Sequence, residues 1–288
     1  MNLVEAQGLR KSFGSVRALD GFDLVLPPGR IMGLIGPNGS GKTTAIKSLL
    51  GLAQTDAGSI SVLGFDPRHQ RPEVMARTGY IADVGTLPRW MRVDQLLTLM
   101  GGVHPEFDRA VAERALAGTD IRPRARIREL SKGMNVQLHL AVMLAVQTQL
   151  LVLDEPTLGL DILHRQRFYD RLMNEYWNTT RSILITTHEV REIEHLLTDV
   201  VLIHRGRALL ATSMQSVAAQ FMKLEARRER LADAELAKPF HRRQTPTGVE
   251  LYYADVDPAH LAPFGTVGTP TLPELFVALV EAQEGSHP

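Results

Sequence analysis

The chain has 288 residues, and its 32 lysines and arginines balance 32 aspartates and glutamates, so no net charge favours nucleic acid or an anionic membrane. It contains no cysteine, which excludes disulfides, thiolate metal sites and a cysteine nucleophile, and which suits a reducing cytoplasm. The N-terminus lacks the apolar core of a signal peptide and no long apolar run occurs, so we expect a partner to supply any membrane-spanning part.

The first elements are predicted to be short strands between residues 3 and 26. Phe13 lies in this region, and a ring at a strand end can stack on an adenine base. A single phenylalanine is more often part of a core, so its position alone leaves both interpretations open.

The next segment, Ile31 to Thr44, begins with an apolar run that predicts a short buried strand. Residues 36–43 then match the pattern G-x-x-x-x-G-K-[ST] without a mismatch, and helix-forming residues follow. This strand–loop–helix order is the context that a phosphate-binding loop requires. A glycine-rich turn in an unrelated fold is the alternative, and the flanking pattern disfavours it.

The glycines of this loop predict how it would bind a nucleoside triphosphate. Glycine adopts turns that a Cβ forbids, so successive N–H groups can point at oxyanions, and the helix N-terminus adds partial positive charge. Lys42 would reach the β- and γ-phosphates, and the Thr43 hydroxyl would ligate Mg²⁺. The predicted nucleotide-binding residues of the loop are Gly36, Pro37, Asn38, Gly39, Ser40, Gly41, Lys42, Thr43 and Thr44.

After the loop the pattern changes from strands to helices. Strands are predicted at residues 57–64 and around Tyr80, and apolar residues at helical spacing predict a helical insertion at about residues 86–140. Within it, arginines at every second position from 122 to 128 favour a solvated face over a phosphate site. Ser131 is predicted to cap the helix that follows.

Two acidic residues end a predicted buried strand. Leu150 to Leu153 is a continuous apolar run, typical of parallel sheets covered on both faces, and Asp154 and Glu155 follow directly. On a chain with a phosphate loop, Asp154 would hold Mg²⁺ through water and Glu155 would orient or deprotonate an attacking water. The alternative is an acidic strand end at a turn.

A second buried strand, Ile183 to Thr187, ends at His188. A lone histidine is usually structural, but ligands of open parallel sheets bind at the C-terminal strand ends, so a structural role and a γ-phosphate contact stay equally open. A helix is predicted at Glu189 to Leu197 and a hairpin at residues 200–210.

The composition then shifts, which predicts a main domain of residues 1–212 and a small α/β extension of residues 213–288. Residues 221–243 alternate charged and apolar positions, as an exposed amphipathic helix or a linker would. A strand at 249–256 and a helix at 272–282 follow. No catalytic constellation occurs in the extension, and we expect its apolar face to pack on the main domain or on a second copy.

Together these motifs make the chain resemble the ATP-binding subunits of ABC transporters. The phosphate loop corresponds to Walker A and the strand ending at Asp154 to Walker B, while Leu130 to Met134, LSKGM, stands where the family has its LSGGQ signature. Leu158 to Asp161 matches the D-loop and His188 the switch histidine. The resemblance implies an α/β P-loop NTPase fold with a parallel core sheet, an N-terminal antiparallel β part, a helical insertion and a C-terminal appendage.

The resemblance also implies a mechanism of ATP hydrolysis. Two subunits would close head to tail around two ATP molecules with Mg²⁺, so that Ser131 and Gly133 of one contact the γ-phosphate held by Lys42 of the other. Glu155 would polarise the attacking water, and His188 would steady the γ-phosphate.

Three further positions gain an interpretation from the family. Phe13 matches the adenine-stacking aromatic. Asp83 stands where the family carries a glutamine, and its shorter carboxylate could reach Mg²⁺ through an extra water. Lys132 replaces a glycine of the signature, a pattern similar to bacterial exporter-type subunits.

The implied partners are an integral-membrane permease, docked near the helical insertion, and a second ATP-binding subunit, with no nucleic acid. The chain would be cytoplasmic and peripheral on the membrane, and export of a drug, peptide or lipid is favoured. One alternative is a soluble ABC-type ATPase acting on ribosomes or DNA, which the single cassette, the lack of heptads and the balanced charge disfavour. Another is a P-loop regulator or kinase, which leaves LSKGM and LDEPTLGLD unexplained.

Overall fold

The computed structural model describes residues 1–82, 87–104, 106–246 and 248–285. Its strands, in chain order, are β1 (Val4–Phe13), β2 (Val16–Leu26), β3 (Ile31–Ile35), β4 (Ala57–Val62), β5 (Thr78–Ile81), β6 (Leu150–Asp154), β7 (Ser182–Thr187), β8 (Asp199–His204), β9 (Arg207–Ser213), β10 (Phe221–Ala226), β11 (His241–Thr245), β12 (Gly248–Ala254) and β13 (Gly265–Gly268). Its α-helices are α1 (Lys42–Leu49), α2 (Arg71–Met75), α3 (Val93–Val103), α4 (Arg109–Ala117), α5 (Lys132–Ala145), α6 (Ile162–Arg171), α7 (Met214–Gln220), α8 (Leu231–Glu235), α9 (Pro258–Leu261) and α10 (Leu272–Gly285).

A six-stranded sheet in the order β5-β6-β7-β3-β8-β9 forms the centre, with all neighbours parallel except β9, which is antiparallel to β8. Every residue of β3, β6 and β7 is buried, because both faces of the sheet are covered. Side chains alternate along β3: Ile31 and Ile35 pack with the helices, and Met32 and Leu34 pack with β1, β2 and α1. The predicted parallel core is confirmed, and the C-terminal ends of β3, β6 and β7 meet at one edge.

An antiparallel sheet in the order β2-β1-β4 covers one face of this core. Phe22 of β2 and Ile46 and Leu49 of α1 are buried in the same cluster as the facing side chains of the central sheet. This sheet is the predicted N-terminal antiparallel part, and it places α1, with the loop that precedes it, against the central strands.

The other face is covered by helices that include α3, α4 and α5 of the predicted insertion. Leu96 and Leu97 are the buried side of α3, and the Asp108 carboxylate caps α4 by accepting from the N–H groups of Ala110 and Val111. The alternating arginines from 122 to 128 are all exposed, as expected for a solvated face. Within the described ranges, no helix combines the length and the apolarity needed to cross a bilayer.

Two secondary-structure predictions are wrong. Residues 221–243 do not form an amphipathic helix or a linker, because Phe221–Ala226 is a strand with β12 on one side and β13 on the other, and its Leu224 is fully buried. Glu189 to Leu197 is not an α-helix but two 3-10 turns, Val190–Glu192 and Glu194–Leu196. This segment is short, since the chain rejoins the sheet where the Thr198 N–H donates to the Ile31 carbonyl at 2.9 Å.

The C-terminal sheet has the order β11-β12-β10-β13 and a small apolar core of its own. Helix α10 connects it to the rest of the chain: Leu272 and Leu275 are buried in the main hydrophobic cluster. The Leu272 N–H also donates to Glu194 Oε1 at 2.8 Å. Of the two predicted positions for the apolar face, the structure shows packing on the main domain.

Candidate nucleotide-binding site

The loop between β3 and α1 has a backbone that only glycine supports at several positions. Gly39 has φ of 77° and Gly41 has φ of 110°, both in the region that disfavours a Cβ. A Cβ on Gly36 would collide with the Ile203 carbonyl of the neighbouring strand. The turn between β8 and β9 also supports the loop, because the Gly206 N–H donates to the Ser40 carbonyl at 2.9 Å.

Lys42 begins α1, and its ammonium lies inside the loop. The side chain is 6% exposed, and Nζ donates to the carbonyls of Gly36 at 2.7 Å and Pro37 at 3.2 Å. Nζ is also 3.5 Å from Glu155 Oε1, an ionic contact without hydrogen-bond geometry. A nearly buried positive charge is therefore held between the glycine loop and the end of β6.

A hydroxyl and a carboxylate meet beside this ammonium. Thr43 Oγ1 donates to Asp154 Oδ1 at 3.3 Å, and Thr186 Oγ1 of β7 donates to the same oxygen at 2.7 Å. Asp154 is 3% exposed, so these hydrogen bonds compensate for the water that its carboxylate loses on burial. Oxygen ligands from one hydroxyl and one carboxylate suit Mg²⁺, which usually completes its shell with phosphate and water.

No group of three or more acidic or histidine side chains that could hold a metal ion converges in the described ranges. Asp83, the third predicted metal ligand, lies outside the described residues.

Glu155 and His188 come from adjacent strand ends and are in direct contact. His188 Nδ1 lies 2.9 Å from Glu155 Oε2, while Oε1 of the same carboxylate is buried without a hydrogen-bond partner in the described part of the chain. Glu155 has φ of 50°, which costs free energy for a residue with a Cβ, and its N–H donates to Thr186 Oγ1 at 3.1 Å. Glu155 Oε1 therefore faces Lys42 Nζ without a hydrogen bond to the described residues.

These groups line one cleft of about 580 Å³, within the range of small-molecule sites. The loop residues Asn38, Gly39, Gly41, Lys42, Thr43 and Thr44 line it, together with Val16, Ala18, Glu155, Leu158 and His188. Four segments distant in the sequence thus converge on the predicted phosphate position.

Outside the loop and the end of β6, three described residues that the sequence predicted for the site do not line this cleft. Phe13 is 56% exposed at the end of β1, with Lys11 Nζ 5.3 Å from the centre of its ring. Ser131 caps α5, its Oγ accepting from the Met134 N–H at 3.2 Å, as the sequence predicted. Gly133 packs against the ring of His164, where a Cβ would come within 3.0 Å of a ring carbon.

Sequence reasoning missed Thr186, which bonds both Asp154 and the Glu155 N–H. Thr186 is the residue before the last one of the buried strand β7. A hydroxyl at that place, beside the acidic end of β6, was the signal in the sequence that could have identified it. It also missed Arg165, whose contacts depend on packing between two loops.

Comparisons with known proteins agree with this geometry. The family model described as "ABC transporter" matches residues 19–158. The Nod factor export ATP-binding protein I of Cupriavidus metallidurans is 32% identical over 212 residues, covering 72% of this chain and 70% of that protein. The daunorubicin/doxorubicin resistance ATP-binding protein of Streptomyces peucetius is 29% identical, covering 96% of this chain and 92% of that one.

Solved structures give the same result. A structure described as the ATP-binding subunit of an ABC transporter has 26% identity and a TM-score of 0.68, and covers 75% of this chain and 92% of that chain. A nucleotide-free ATP-binding cassette, at 19% identity, has a TM-score of 0.64 and shares the fold.

The sheet order, the glycine loop and the acidic strand end define a P-loop ATPase. The chain belongs to the family of ABC transporter ATP-binding proteins, and it is an ATP-binding and ATP-hydrolysing subunit of such a transporter. The predicted family and fold class are therefore confirmed.

Proposed function

We propose that this subunit works on the cytoplasmic face of the cell membrane, pairs with a second ATP-binding subunit and drives a separate permease in export. The observation that carries the proposal is the cleft lined by Lys42, Thr43, Glu155 and His188, with Asp154 hydrogen-bonded to Thr43. The names of the relatives, which include Nod factor export and daunorubicin resistance, support export of a drug, peptide or lipid over a soluble role on ribosomes or DNA.

The loop residues from Gly36 to Thr44 would bind the phosphates of ATP. Lys42 would exchange its bonds to the Gly36 and Pro37 carbonyls for charge-assisted bonds to β- and γ-phosphate oxygens. Thr43 and Asp154 would hold Mg²⁺, with Asp83 as a proposed additional ligand, and the ion would neutralise developing phosphate charge.

Glu155 is the proposed base for the attacking water. Its Oε2 contacts His188, whereas Oε1 has no hydrogen bond in the described residues and faces Lys42 Nζ at 3.5 Å. Oε1 would accept the proton of water once Lys42 turns to the phosphates. As the water oxygen bonds to the γ-phosphorus, the bond from that phosphorus to the bridging oxygen breaks, and ADP leaves with the bond's electron pair. His188, 35% exposed at the cleft, would contact the γ-phosphate oxygens.

Ser131 and Gly133 would complete the site of a second subunit. They lie outside the cleft of their own chain, at the N-terminal end of α5, where backbone N–H groups and the helix dipole favour phosphate. Head-to-tail pairing brings such an end to the cleft of the other subunit. Phe13, exposed at the end of β1, would stack on adenine.

Each part of the chain also has a proposed role. Residues 1–212 would form the ATPase domain, the insertion at about 86–140 would contact the permease, and residues 213–288 would form the extension. The closing and reopening of the pair would change the conformation of the permease, because ATP binds the closed pair more tightly than the open pair.

The proposal is tested by affinity capture of the tagged full-length chain from detergent-solubilised membranes of the producing cells. We expect an integral-membrane protein to co-purify and the complex to hydrolyse ATP with Mg²⁺. The matched variant Glu155→Gln should capture the same protein without turnover. Recovery of a soluble ribosome or DNA complex instead, with no membrane protein, would contradict the transport function.

A further inference from the structure

One guanidinium contacts the two loops that follow the ends of β6 and β7. Arg165 lies on α6, and its Nε donates to the Leu160 carbonyl at 2.7 Å. Its Nη1 donates to the carboxylates of both Glu189 and Glu192. Arg165 is 19% exposed, so these contacts are partly shielded from solvent.

These contacts depend on the shape of the arginine side chain. A guanidinium presents several donors in a fixed plane, whereas a lysine ammonium is a point charge and would not reach a carbonyl and two carboxylates together. The two carboxylates are close enough to affect each other. Burial and the bond to Glu189 raise the pKa of Glu192, while the bond to Glu192 and the guanidinium lower the pKa of Glu189. The guanidinium therefore bonds two carboxyl groups that also interact with each other.

The two loops are those that carry the reacting groups. Leu160 belongs to the turn after Glu155, in which the Leu158 N–H donates to the Glu155 carbonyl at 3.2 Å. Glu189 follows His188 directly, and its N–H donates to Thr187 Oγ1 at 2.9 Å. Arg165 thus fixes the chain on both sides of the Glu155–His188 contact while touching neither residue.

We infer that Arg165 is a positioning residue that ties the D-loop to the segment after His188, and so keeps His188 and Glu155 in register for hydrolysis. The inference rests on the proposed function of that pair. Displacing a positioned group by about 1 Å costs on the order of 100-fold in rate, so losing this tie should lower turnover while nucleotide binding at the loop persists.

The test compares Arg165→Met with Arg167→Met, which removes an exposed arginine from the same helix. We expect Arg165→Met to lower kcat for ATP by about 10- to 100-fold, with KM within about twofold of wild type. Arg165→Lys should recover only part of the loss. The variant should still fold, because the Tyr169 and Thr157 hydroxyls, 3.0 Å apart, keep α6 joined to the same turn.

Amide hydrogen exchange gives a second readout that needs no turnover. Exchange at residues 156–161 and 188–193 should rise in Arg165→Met and not in Arg167→Met. If Arg165→Met did not fold, the near-isosteric double variant Glu189→Gln, Glu192→Gln would weaken the same ties from the other side, with the same expectations for kcat and exchange.

Any one of three results would overturn the inference. The first is turnover of Arg165→Met within about twofold of Arg167→Met, the second is a rise in KM that parallels the loss of kcat, and the third is unchanged exchange in both segments. Its failure is distinguishable from failure of the proposed function. A wild-type chain that hydrolyses ATP and loses turnover with Glu155→Gln supports the base whatever Arg165 does, whereas the exchange experiment tests the tie even in a chain without turnover.

Discussion

His188 Nδ1 lies 2.9 Å from Glu155 Oε2, although the two residues are 33 positions apart in the chain. The contact forms because β6 and β7 are parallel neighbours, with Asp154 paired to Thr186, so the residues that follow the two strands emerge side by side. It leaves Glu155 Oε1 as the carboxylate oxygen that faces Lys42.

Replacing Glu155 by glutamine should retain ATP binding and lower turnover by about 100-fold or more, because a neutral amide cannot accept the proton of water. ATP turnover and equilibrium binding, measured on the same preparation, check both parts. Replacing Glu73, an exposed glutamate of α2, by glutamine should leave turnover near wild type. A Glu155→Gln variant that turns over normally would exclude Glu155 as the base.

Replacing Lys42 by alanine should weaken ATP binding by at least about tenfold, since it removes charge-assisted bonds worth roughly 1.5–3 kcal/mol. Isothermal titration calorimetry measures the change. Lys47→Ala is the matched control, because Lys47 lies on the exposed side of the same helix. Equal affinities for the two variants would show that the phosphates do not bind where we place them.

Mixing two inactive variants tests head-to-tail pairing. Ser131→Arg disables the α5 end and Lys42→Ala disables the loop, so each variant alone lacks both sites of a homodimer. An equal mixture forms mixed dimers that contain one intact site, and should recover roughly a quarter of wild-type turnover if subunits exchange freely and sites act independently. Each variant alone at the same total concentration is the control. No recovery from two folded variants that exchange subunits would contradict a shared site.

His139 of α5 gives a pH-dependent contribution to stability. Burial lowers its pKa from 6.5 to about 4, so as pH falls below 6.5 the unfolded chain binds the proton before the folded chain does. Stability is therefore present above pH 6.5 and is lost as pH falls toward 4, by about 3 kcal/mol in total.

Denaturant unfolding of wild type and His139→Met at pH 7, 5.5 and 4 measures this contribution. The stability of wild type should fall relative to the variant as the pH is lowered. His69→Met, at an exposed position, is the matched control for the substitution itself. A pH-independent difference for His139→Met would mean that His139 is not held neutral by burial.

Much of the site could be predicted because its parts are local in sequence. The match over residues 36–43 specified a loop whose positive φ at Gly39 and Gly41 the structure shows, and the apolar run before Asp154 specified a buried strand. Hydrophobic pattern and glycine placement act over a few residues, so a single sequence is enough to recognise them.

The prediction for residues 221–243 was wrong because alternating charge suggested an exposed helix, whereas pairing with two distant strands buries Leu224.

The sequence by itself determined the class of the protein, the phosphate loop and the identity of the acidic and histidine residues, since each depends on short-range pattern. Only the tertiary structure decided that Thr186 bonds Asp154, that Arg165 joins two loops, and that Ser131 lies outside the cleft of its own chain. Those facts depend on strand order and on helix packing, which bring together residues far apart in the chain and are not encoded in any one segment.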